Sequence, residues 1–187
     1  MGPPKADEGS VTARTKIGAP RSLEPLPAAE RRAAIELLDQ EHLMTLAVLG
    51  PDGWPRAMTV GFYSEELDIY LVTARDSDKL AAIRSDPRVA LAVRHEIGQP
   101  GDGLALSMTG RAEEVFDAAV AERINQAVIQ RYRDGHLYCP QQRSVAIVHV
   151  RPATIVLALA RDGRSVTDAY RVSDHPEALA HQRHPDQ

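Results

Sequence analysis

The chain is poor in cysteine and in aromatic residues, and it has no long apolar run. Cys139 is the only cysteine in 187 residues, which excludes an internal disulfide and any metal or iron–sulfur site built on several thiolates. One tryptophan, two phenylalanines and five tyrosines leave core building mostly to aliphatic side chains. No stretch reaches the roughly 18 consecutive apolar residues of a membrane-spanning helix. The opening MGPPKADEGS carries no apolar run behind its charges, which reads against a secretory signal. Positive charge is not in excess either: 22 basic residues against 26 acidic ones give a net charge of −4. Neither nucleic acid nor an anionic membrane is therefore an expected partner. Common catalytic signatures are missing too, with no G-x-x-x-x-G-K, no G-x-G-x-x-G after a strand, no H-E-x-x-H and no G-x-S-x-G. A cytoplasmic domain with one hydrophobic core is the remaining expectation.

Residues 1–26 hold Pro3, Pro4, Pro20 and Pro25 with Gly2, Gly9 and Gly18 and show no apolar periodicity, the composition of a flexible arm. Residues 161–187 read as a polar tail, in which His175, His181 and His184 lack the carboxylate or thiolate neighbours of a metal site. Over 27–160 the pattern is orderly. Pro27 suits the first turn of a helix reaching Asp39, with Ala34, Ile35 and Leu38 on one stripe. Leu43–Leu49, the turn Gly50-Pro51-Asp52-Gly53 and the alternating run Arg56–Tyr63 read as a hairpin. Strands follow at Leu67–Thr73, Val89–His95, Leu104–Ala112, Val145–Val150 and Thr154–Ala160, the last two hinged at Pro152. Helices are expected at about Ser77 to Ser85 and about Asp117 to Arg133. Short turns between successive strands force antiparallel pairing, so the expected fold is mainly β: a closed or nearly closed six- to seven-stranded antiparallel barrel with flanking helices, which the resemblance described below makes a split barrel.

The stretch from Tyr70 to Lys79 concentrates the chemistry. A strand ends at Thr73 and a helix opens near Ser77, where unpaired backbone N–H groups and the positive end of the helix dipole suit a phosphate. Thr73 and Ser77 add hydroxyls, Lys79 adds a charge, and Arg56 opens a strand at the same end of the sheet. The same residues also read as an ordinary helix cap followed by a surface lysine, and the spacing alone leaves both readings open. His42, His95, His136 and His149 are scattered over different elements and read as structural rather than metal-ligating. Trp54 reads as packing on Pro55, and Tyr132, His136, Tyr138 and Cys139 as a polar–aromatic cluster after the long helix. Cys139 has no placed activating base, so no nucleophilic role is assigned to it.

Taken in order, the Pro-Asp-Gly turn, the strand from Arg56, Thr73, the Ser77-Asp78-Lys79 step and Ser85-Asp86-Pro87-Arg88-Val89 resemble the flavin-binding split barrels related to pyridoxamine 5′-phosphate oxidase. The resemblance covers about residues 30 to 160 and lies nearest the short, general-stress-protein-like branch. It implies a homodimer with flavin mononucleotide (FMN) at the subunit interface and an oxidoreductase acting on a small molecule. By the resemblance, Arg56 opens the flavin-contacting strand, Ala57, Met58 and Thr59 lie along the ring edge, and Thr73, Ser77 and Lys79 take the phosphate. Two positions depart from the oxidases: Asp78 stands where an arginine precedes the lysine, and Gly61 replaces a lysine. The segment that closes over the vitamin substrate has no counterpart. Oxidation of pyridoxamine phosphate is therefore not the expected activity, and no catalytic residue is assigned. A deazaflavin-dependent reductase, a non-catalytic flavin- or haem-binding module and a cofactor-free dimer are the alternatives within the same fold.

Overall fold

The computed structural model of the chain describes residues 23–99, 101–132 and 145–172. The arm before Leu23, the cluster of His136, Tyr138 and Cys139, and the C-terminal histidines lie outside the described residues. Helix α1 (Ala28–Gln40) starts after Pro27, which sits at the N-cap in extended conformation, and buries Ala34, Leu37 and Leu38. Strands β1 (Leu43–Leu49) and β2 (Pro55–Gly61) form the expected hairpin, with Leu43 opposite Gly61 and Leu49 opposite Pro55. Its loop closes through Gly53 N–H to Gly50 C=O and Gly50 N–H to Trp54 C=O. Gly53 has a φ of 81° there, a conformation glycine takes without steric cost.

The expected strand Arg56–Tyr63 is broken at Phe62, after which β3 (Tyr63–Glu65) begins. The break has a topological cause. β2 pairs with β1, whereas β3 pairs with β4 (Asp68–Ala74), so the chain leaves one end of the sheet and joins the other at this residue. Helix α2 (Asp78–Ser85), β5 (Arg88–Glu96), β6 (Gly103–Glu114), α3 (Ala118–Arg131), β7 (Val145–Arg161) and β8 (Arg164–Arg171) complete the order. The strands form one sheet in the order β2-β1-β5-β6-β7-β4-β3 with β8 on β7, and every strand pair is antiparallel. The sheet curls so that β2 nears β4, which makes the split barrel.

Two expectations need correction. Val145–Val150 and Thr154–Ala160 are one strand, not two hinged at Pro152. The register against β6 shifts at Gly110, which faces Pro152, while Thr109 faces Thr154, and this bulge absorbs the residue that cannot donate. Past the bulge β7 changes partner from β4 to β8. The polar segment after Arg161 is likewise not all tail. Asp162 and Gly163 both have positive φ, 51° and 72°, the two-residue turn that matches strand twist, and β8 returns along β7. Its far end binds the chain before α1 through Leu26 N–H to Arg171 C=O and Arg171 N–H to Glu24 C=O.

The barrel interior is aliphatic, built on Leu46, Ile69, Leu71, Leu106, Met108, Val148 and Ile155 with Phe62, and α2 plugs one end with Leu80, Ala82 and Ile83. Burial of each large side chain contributes about 1.5–3 kcal/mol. A second cluster lies under α3, where Tyr70 and Ile147 on the outside of the wall meet Ile124, Val128 and Tyr132. Elsewhere on the outer face, Thr45, Ala57, Thr59, Ala90, Ala92, Ser107 and Thr109 form a small-sided exposed patch, with Arg88, Arg94 and Arg111 exposed toward the ends of β5 and β6.

Candidate functional site

At the seam between β2 and β4, under the last turn of α3, lies a cavity of about 370 Å³, within the range of small-ligand sites. The end of β2 and its crossover supply Thr59, Val60, Gly61 and Phe62; β4 supplies Tyr70, Val72, Thr73 and Ala74; α2 brings Ser77 and Lys79; α3 and its C-cap bring Val128 and Tyr132. One end is polar, and the walls are aromatic and aliphatic.

At the polar end, Thr73 Oγ1 and Ser77 Oγ are 3.0 Å apart. Ser77 is the N-cap of α2, and its Oγ accepts the Leu80 N–H at 3.2 Å. The cap reading and the phosphate reading thus describe one residue. Lys79 is half-buried, and desolvation holds its ammonium below the usual lysine range. No carboxylate pairs with it among the described residues. Asp78 is exposed on the opening turn of the helix. The arginines nearby are already bound: Glu114 Oε1 accepts from Arg75 Nη1 at 2.8 Å, and Glu114 Oε2 accepts from Arg84 Nε at 3.0 Å and Nη2 at 2.6 Å.

That Glu114 side chain is 3% exposed, whereas its arginines are about half-exposed. It clamps the loop after β4 and the last turn of α2 onto the end of β6, which fixes the helix that carries Ser77 and Lys79. Glu114→Ala leaves a buried gap but returns both guanidinium groups to water, so the expected destabilisation is moderate, about 1–2 kcal/mol. A lowered urea midpoint with an unchanged slope is the expected reading.

Of the residues singled out in the sequence, Thr59, Thr73, Ser77 and Lys79 line this one cavity; Arg56, Ala57 and Met58 do not. Arg56 Nη2 donates to Asp52 Oδ2 at 3.1 Å inside the hairpin loop. The Trp54 backbone N–H and Arg56 together hold the Asp52 carboxyl below its ordinary value. Met58 packs toward the core, and Ala57 is exposed on the outer face. The Trp54 indole is 73% exposed, so packing on Pro55 covers little of it.

The described histidines make separate local contacts. His42 stands edge-on to Tyr132 with centroids 5.6 Å apart, and His95 Nδ1 lies 2.7 Å from Glu41 Oε1. His149 stacks on Tyr70 at 4.6 Å. Among the described residues no group of three metal-ligating side chains exists. The walls formed by Phe62, Tyr70, Val72 and Val128 were not legible as a site, since each reads as core; only the break at Phe62 and the meeting of β4 with α3 turn them toward a cavity.

Comparison with known proteins agrees with this fold. The family model for pyridoxamine 5′-phosphate oxidase matches residues 31–160. No curated protein matches. Among solved structures, a Clostridium acetobutylicum protein related to general stress protein 26 of B. subtilis is 14% identical with a TM-score of 0.54, covering 73% of this chain and 92% of its own. A Mesorhizobium loti FAD-binding protein is 17% identical with a TM-score of 0.59, covering 75% of this chain and 100% of its own. A Mycobacterium smegmatis haem-binding protein is 18% identical with a TM-score of 0.63, covering 75% of this chain but 57% of its own. At these identities the structures share the fold. No helix among the described residues is long and apolar enough to cross a membrane. With the family model spanning most of the barrel, the chain belongs to the pyridoxamine 5′-phosphate oxidase family.

Proposed function

We propose that this protein is a cytoplasmic, flavin-dependent oxidoreductase that binds FMN at the seam cavity and acts on a small molecule as a homodimer. The observation that carries the reading is that half-buried Lys79, without a carboxylate partner among the described residues, lines the same otherwise apolar, aromatic cavity as the paired hydroxyls of Thr73 and Ser77. Burying an unpaired cation costs stability, and an anion arriving there offsets that cost. Thr73, Ser77 and Lys79 would hold the phosphate, and the β2 backbone from Ala57 to Thr59, where Arg56 opens the strand, would border the ring. Bound flavin supplies the hydride acceptor or donor. The chain's own groups then bind, orient and exclude water. Tyr132 spends its hydroxyl on backbone groups, and burial keeps the Tyr70 phenol above its ordinary pKa, hence protonated at neutral pH. The exposed, small-sided outer face beside Thr59 suits close apposition of a second copy, which would bound the open side of the cavity.

The test is a titration of the purified chain with FMN and with riboflavin, which lacks the phosphate. FMN should bind about 30- to 100-fold tighter, one charged hydrogen-bonded contact's worth, and the chain should sediment at twice its own mass. A chain that binds neither flavin overturns the reading. A haem module is the second reading, favoured by the haem-binding neighbour; a Soret band lost on changing His95 or His149 would establish it. Binding of a deazaflavin with rejection of FMN would instead assign a deazaflavin reductase.

A further inference from the structure

Tyr132 lines the cavity and looks like an acid for a bound ligand, yet its hydroxyl is already committed. It accepts from Phe62 N–H at 3.0 Å, and it lies 2.5 Å from Phe62 C=O and 2.8 Å from His42 C=O, either of which takes its single proton. Phe62 is the residue at which the chain leaves β2 for β3, so neither ladder is available to its backbone groups. A buried peptide unit without partners is costly, and the phenol oxygen accepts the Phe62 N–H and lies within hydrogen-bond distance of its C=O. The preceding residue ties the same point. Arg131 stands over the Phe62 ring at 5.7 Å, and its Nη2 donates to Leu38 C=O at 2.8 Å and Glu41 C=O at 2.7 Å at the end of α1. The end of α3 therefore sets where the last residues of β2 and the crossover, Thr59 to Phe62, lie relative to β4, and these two stretches are the facing walls of the cavity.

We infer that Tyr132 is a positioning residue for the cofactor site: its hydroxyl fixes the β2–β3 crossover and hence the cavity's width, and it takes no part in proton transfer. The affinity part of this inference rests on the flavin reading above. Tyr132→Phe keeps the ring and removes only the tie, and Tyr132→Leu is the second variant, removing ring and tie together. In Tyr132→Phe the Phe62 amide should lose its protection against hydrogen exchange by tenfold or more. The FMN dissociation constant, measured well below the melting temperature, should rise about fivefold to tenfold. The visible band of bound flavin should also shift, as a changed wall requires.

A retained Phe62 protection factor overturns the positioning role, as does an unchanged FMN affinity alongside a merely lowered melting temperature. Loss of the alkaline limb of the pH–rate profile in Tyr132→Phe, at unchanged affinity, would make Tyr132 an acid and likewise overturn it. If the unaltered chain binds no flavin, the proposed function fails, and the exchange measurement still decides the tie at Phe62. Should Tyr132→Phe not fold, hydrogen exchange at the Phe62 amide of the unaltered chain decides the tie: strong protection supports it, and exchange at the rate of an unprotected amide overturns it.

Discussion

Gly110→Ala should lower the free energy of unfolding by about 3 kcal/mol, a large value for one methyl group. The cause is space, not backbone freedom. A Cβ at residue 110 would sit 2.3 Å from the Arg151 carbonyl oxygen, 3.0 Å from its carbon and 3.1 Å from Pro152 Cα. Each of these is backbone, so no rotamer change relieves the contact, and the two central strands β6 and β7 must separate. They would separate at the bulge that lets β7 pass Pro152 and exchange β4 for β8 as its neighbour. Ser107→Ala, three residues back on the exposed outer face of the same strand, should stay within about 0.5 kcal/mol. Urea unfolding of the pair measures the difference. Equal midpoints would mean that the strands do not approach at Gly110 as closely as they do here.

Gly110 also shows where reading the chain from its residues stops. The alternation of apolar residues on either side of Pro152 was visible, and a proline inside a strand reads as a break. What it could not show is that the opposite strand carries a residue small enough to accept the bulge, because that pairing joins positions about forty apart in sequence. The hairpin around Pro51-Asp52-Gly53 was legible because its turn is local and its strands adjoin. The Asp162-Gly163 turn carried an equally local signal, but β8 is exposed along most of its length and lacks the apolar alternation that would have completed it. Within the site, Thr73, Ser77 and Lys79 were legible for the same local reason: a strand end and a helix cap lie within seven residues. The apolar walls came from three separate elements, β2 with its crossover, β4 and α3 with its C-cap, that only the closed sheet brings together. Arg56 was read toward the same end of the sheet as Thr73, but its guanidinium pairs with Asp52 in the tight turn four residues away and does not line the cavity.

Lys79→Met should move stability and ligand affinity in opposite directions, which separates a binding residue from a structural one. The aliphatic stem is kept, and only the ammonium is lost. Desolvation lowers the pKa of Lys79 in the folded chain below its ordinary 10.5. Between the folded value and 10.5 the unfolded chain therefore holds more protons, so stability rises with pH across that window. Below the folded value the ammonium is charged in both states, and its desolvation cost is present in full. At neutral pH the ligand-free variant should accordingly be more stable, by about 0.5 kcal/mol once the half-solvated position is allowed for. The advantage should shrink as pH climbs toward 10.5 and the unaltered lysine sheds its proton. FMN affinity should fall by about 30- to 100-fold, the loss of one partly screened charge from a phosphate site, while riboflavin affinity stays the same. Equal losses for both flavins would place the ring rather than the phosphate against α2. No loss for either would remove Lys79 from the site. The expected pattern, a more stable apo chain that no longer distinguishes the phosphorylated flavin, follows from a single buried charge that folding tolerates and only an incoming anion offsets.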